Sequence, residues 1–68
     1  MDRIELMAVR FLEKYGLIWP NRLAQISGSS WYKANKTLLK ISARNSLFKC
    51  RIGRTKVFMV RPPYEKDR

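Results

Sequence analysis

Sixty-eight residues with a formal net charge of +10 leave room for one domain with one small core. The 46% apolar content belongs to a chain that folds, and Cys50 has no second cysteine with which to form the disulfides of a stapled secreted scaffold. No apolar run approaches the roughly eighteen residues of a membrane span, and the start lacks a signal-peptide pattern, so the expectation is a cytoplasmic protein with no membrane span.

Along the chain, Asp2 to Tyr15 places Ile4, Ala8, Phe11 and Tyr15 at spacings of four, three and four, with Met7 and Leu12 beside them. That predicts an amphipathic helix with Asp2 as its cap and Gly16 as its stop. Leu17, Ile18 and Trp19 run into Pro20, which predicts a very short strand, because proline biases its predecessor toward extended geometry. Pro20 suits the first turn of a second helix that continues over Asn21 to Ile26.

Ser27, Gly28, Ser29 and Ser30 predict a polar turn, Gly28 supplying a positive φ and Ser29 or Ser30 a capping oxygen. From Trp31 a third helix is predicted, with Ala34, Leu38 and Ile41 inward, Thr37 beside them and Asn45 in the left-handed position at its end. Leu47 to Ile52 and Thr55 to Val60 read as two strands joined at Gly53-Arg54 by a type II′ turn. Pro62-Pro63 ends the pairing, so residues 1–61 form the domain and residues 62–68 a frayed, flexible tail.

From Lys14 to Tyr64 the chain has eleven lysines and arginines and no aspartate or glutamate. Charge so one-sided points to a surface that lies against phosphates. The order of elements, with Leu23-Ala24 opening the second helix, Gly28 in the turn, and Leu38, Ile41, Asn45 and Leu47 following, resembles the winged helix-turn-helix family over roughly residues 4 to 60. The resemblance implies an α+β fold: three helices, a short strand after the first, and a C-terminal two-stranded β-hairpin as the wing. Asn45 stands where glycine is commoner, and no long helix follows the wing, so the family's usual dimerisation helix is not carried over.

Winged helices serve DNA, RNA and protein contacts alike, so the resemblance fixes the fold better than the ligand; with the basic window, the leading expectation is a double-stranded DNA-binding protein, specific or semi-specific for sequence and acting as a transcriptional regulator. Its third helix would enter the major groove. Trp31, Tyr32, Asn35, Lys36 and Lys40 are expected on the outward face of that helix, where Asn35 could pair with adenine and Lys36 with guanine acceptors or a phosphate. Lys33, Lys40 and Arg44, with Thr37, form a second stripe suited to phosphates. Ser29 and Ser30 at the helix start and Arg22 on the second helix are further phosphate candidates. In the hairpin, Lys49, Arg51, Arg54 and Lys56 surround the Gly53 turn, with Arg54 the candidate for the backbone or minor groove.

The plainer alternatives are a solvated basic helix face and a hairpin whose cations block edge aggregation. Cys50 reads as a small core residue on its strand, and Trp19 as core or helix-entry packing. With no histidine, one isolated cysteine and acids only near the ends, no general base, nucleophile dyad, metal cluster or cofactor loop is expected, and the chain is not read as an enzyme. Two other readings stay open: an RNA-associated structural component such as a ribosomal protein, and a protein-interaction domain using Trp31, Tyr32 and Leu39. A homodimer on a symmetric DNA site is also open, since the sequence does not choose a dimer contact.

Overall fold

Gly16, Gly28, Ser46 and Gly53 take positive φ and separate the elements, and Pro20 opens the second helix. The computed structural model describes residues 2–61. The order is α1 (Arg3–Tyr15), β1 (Leu17–Ile18), α2 (Pro20–Ser27), α3 (Trp31–Asn45), β2 (Phe48–Ile52) and β3 (Thr55–Met59). The three strands form one antiparallel sheet in the order β1-β3-β2, so the class is α+β with three helices. The tail expected over residues 62–68 lies outside the described residues.

Helix α1 starts at Asp2, whose backbone N–H donates to Glu5 Oε1 at 3.2 Å, and stops at Gly16, φ +84°, whose N–H donates to the Leu12 carbonyl. Both ends thereby satisfy amide or carbonyl groups that a helix leaves unpaired. The buried row is Ile4, Ala8 and Leu12, at uniform spacings of four. This corrects the expected stripe at its end: Phe11 is half-buried and Tyr15 is 56% exposed. The helix runs past the edge of the core, so the Tyr15 ring rests on Phe11, centroids 4.5 Å apart, at the surface.

Trp19 is the extended residue before α2, with Pro20 in the first helical position, and the Leu23 N–H closes the first turn onto the Trp19 carbonyl. Gly28, φ +69°, ends α2, and Ser30 caps α3 by accepting the Lys33 N–H. Helix α3 continues one residue beyond expectation. Asn45 is still helical and Ser46 takes the left-handed φ of +54°, with the Ser46 and Leu47 amides both donating to the Ser42 carbonyl. That pairing turns Leu47 back onto the core cluster, an apolar contact of the kind that accompanies such a helix stop.

The two strands of the hairpin are each one residue shorter than expected, joined by Gly53-Arg54 between Ile52 and Thr55. Gly53 has φ +67° and Arg54 does not have positive φ, the signs of a type II′ turn. Register then decides which side chains look inward, because residues directly opposite each other share a face. Ile18, Phe58 and Lys49 lie on one face, and so does the Arg51–Lys56 pair farther out. Phe58 and Ile18 are fully buried against Ala8, Leu23, Ala34 and Leu38. The expectation of Cys50 as a small core residue is corrected: the register sets it opposite Val57, on the face away from Phe58, half-buried and outside the core cluster. Among the described residues no helix is long and apolar enough to cross a membrane.

Candidate nucleic-acid interface

Helix α3 turns about 100° per residue, so its surface divides into three stripes once the buried row is known. Ala34, Thr37, Leu38, Ile41 and Ser42 are buried. On the flank next to Leu38 and Ser42 stand Trp31 and Asn35, one turn apart; on the opposite flank stand Lys33, Lys40 and Arg44. Tyr32, Lys36 and Leu39 occupy the middle, with Tyr32 70% exposed. The single outward face expected for Trp31, Tyr32, Asn35, Lys36 and Lys40 is therefore divided among three directions.

The Trp31 flank meets the hairpin. Trp31 and Asn35 line a cleft of about 300 Å³ together with Arg51, Arg54 and Lys56 from the hairpin and Asn21 from the start of α2. The register explains why these cations are there. The sheet face that buries Ile18 and Phe58 continues outward beyond the core, and its next pair is Arg51 and Lys56. Arg54 follows in the turn. No acidic side chain lines this cleft, the three described acids Asp2, Glu5 and Glu13 all belonging to the start or body of α1. Asn21 was not among the expected site residues. Its signal was its place in the first turn after Pro20, where a helix start is open to solvent.

The other flank meets α1 through Arg44. Arg44 Nη2 lies 2.7 Å from Glu5 Oε2, and the Glu5 side chain is only 7% exposed. The Arg44 hydrogen bond, then the Asp2 amide, hold the Glu5 carboxyl below its ordinary value of 4.5 against the opposing effect of burial, with Lys40 adding attraction. Arg44 is thus engaged within the molecule. Thr37, expected on the phosphate stripe, is buried and donates to the Lys33 carbonyl at 2.9 Å, so its hydroxyl is spent on the helix. Lys33, Lys36 and Lys40 are exposed.

Glu5→Gln should lower the melting midpoint at neutral pH and flatten its decline in acid. A carboxyl whose folded pKa is depressed takes up its proton more readily in the unfolded chain. The stability it contributes is complete above pH 4.5 and is lost as pH falls through the lowered folded value. Melting curves for both chains from pH 7 to about 3 check this; parallel pH dependences would remove the ion pair from the stability balance.

The remaining candidates have local work. Arg22 Nη1 donates to Gln25 Oε1 at 3.0 Å, and its guanidinium carbon lies 5.6 Å from the Trp19 ring centroid. Ser29 shares a 2.7 Å hydrogen bond with Ser27, whose hydroxyl also lies 2.6 Å from the Leu23 carbonyl, and Ser30 serves as the α3 cap. None of these three lines the cleft. Trp19 packs edge-on against Phe11 at 6.4 Å, half-buried, in a packing role. Comparison of the chain with family models, curated proteins and solved structures returns no match.

Proposed function

We propose that this chain is a non-catalytic nucleic-acid-binding domain of winged helix-turn-helix type whose ligand is duplex DNA, acting in transcriptional regulation. In this reading α2, the Gly28 turn and α3 are the helix-turn-helix, and the β2–β3 hairpin is the wing. Helix α3 has 15 residues, about 22 Å at 1.5 Å per residue, and a major groove about 12 Å wide admits it. Tyr32 would face the base edges, Lys36 a base edge or the phosphate beside it, Lys33 and Lys40 one phosphate strand, and Arg51, Arg54 and Lys56 the other.

The observation that carries this reading is the convergence of two separate elements on one acid-free cleft: Asn35 and Trp31 from α3, three cations from the hairpin. A solvated basic helix would not need a hairpin aligned with it. The ion pair to Glu5 supports the same orientation, because the acid that α3 engages through Arg44 lies on the flank away from the cleft.

Competition decides the class of ligand. With a labelled random-sequence duplex bound to the full chain, unlabelled duplex DNA should displace the label at lower concentration than a structured RNA of equal phosphate content. Displacement preferentially by RNA would move the chain to the RNA-associated class, where shape and 2′-hydroxyl contacts dominate. Absence of binding to either polymer at low salt would end the nucleic-acid reading.

A further inference from the structure

We propose that the cleft between α3 and the hairpin is a subsite for a single unpaired nucleotide of the bound DNA; this rests on the nucleic-acid reading above. A helix read in a groove presents a convex ridge, but Trp31 and Asn35 do not stand on the ridge. They stand in a concavity beside it of about 300 Å³, at the small end of the range of about 300–1,000 Å³ in which small-ligand pockets fall. A base pair cannot enter so small a space. One nucleotide suits it.

The lining has the three kinds of group a nucleotide needs. Trp31 supplies an aromatic face. Trp31 is 51% exposed, and among the described residues no aromatic ring or cation is stacked on its indole. The contrast with Trp19 is direct, since that indole has Phe11 at its edge and Arg22 over its face. Asn35 and Asn21 supply carboxamides, each with donors and an acceptor that can meet a base edge. Arg51, Arg54 and Lys56 supply positive charge for the phosphates on either side.

An isolated indole on a protein surface has a hydrophobic face left in water, and a stacked base would remove it from water while tolerating any base identity. Asn35 would then select by hydrogen bonding at the base edge. In this arrangement the ridge of α3 engages paired DNA, and the cleft takes a nucleotide that is bulged, overhanging or at a strand opening. Such a nucleotide is already unpaired, so little further unstacking is required to seat it.

The test compares two DNA duplexes of identical sequence, one fully paired and one carrying a single unpaired adenine at its centre, bound to the full chain at fixed salt. The bulged duplex should bind tighter by about 5- to 150-fold, the range that stacking on one aromatic side chain provides. Trp31→Ala should abolish that advantage, so that the bulged and paired duplexes bind the variant alike, and Trp31→Phe, which keeps an aromatic face, should retain most of the advantage. A purely structural role for Trp31 would lower the melting midpoint of the alanine variant and weaken both duplexes alike, and that result overturns the subsite. Equal wild-type affinity for the two duplexes overturns it as well, while leaving duplex recognition intact. Failure to bind either duplex overturns both readings.

Discussion

Phe58→Ala should bring the chain to the edge of unfolding at room temperature. Phe58 is the largest fully buried side chain and sits on the central strand, paired with β1 through Ile18 and with β2 through Lys49. Truncating a buried phenylalanine costs about 3–5 kcal/mol. A single core in a domain this small rarely supplies more than about 3–5 kcal/mol of net stability, so the loss is comparable with the whole. Urea titration followed by circular dichroism checks it: the wild type should show a cooperative transition with a folded baseline, and the variant should lack that baseline. Phe48→Ala is the control, because Phe48 is 42% exposed and outside the core cluster. If Phe58→Ala kept a midpoint near that of Phe48→Ala, the sheet would not be docked on the helices as described.

Affinity for duplex DNA should fall about a thousandfold between about 50 and 200 mM salt. Lys33, Lys36, Lys40, Arg51, Arg54 and Lys56 are candidate phosphate ligands, and none is in an ion pair among the described residues. At about 0.9 per neutralised phosphate, these give a slope of log affinity against log salt of about −5. Arg44 is not counted because its guanidinium is held by Glu5. Replacing Arg51, Arg54 and Lys56 together with alanine should make the slope shallower by about 3, a result read by repeating the titration at four or five salt concentrations. A slope near zero for the wild type would mean that the basic window is not a binding surface, and an unchanged slope for the triple variant would confine contact to α3.

The element order was legible because its punctuation is chemical. Gly16, Gly28 and Gly53 all have positive φ, and Pro20 opens α2. Each residue type is suited to its backbone position, so one sequence is enough to place the boundaries within a residue or so. The exception was Ser46, which took the left-handed position expected of Asn45, with the apolar contact of Leu47 accompanying it. Helix faces were less legible. A period of 3.6 identifies the buried row but not what covers its flanks, and Trp31 and Asn35 joined the hairpin cleft through sheet register, which depends on pairing across the chain. The Glu5–Arg44 pair spans 39 positions, and only its local half, Asp2 with Glu5 three residues on, is a pattern visible in sequence.

The unequal surroundings of the two tryptophans make the molecule its own spectroscopic probe. Trp19 is wedged between Phe11 and Arg22 at the start of α2, so its emission reports whether α1 and α2 are docked. Trp31 stands half in water at the mouth of the cleft, so its emission reports what enters there. Folding and occupancy can thus be followed as separate optical signals without attaching a dye, one from each indole, by silencing the other with phenylalanine.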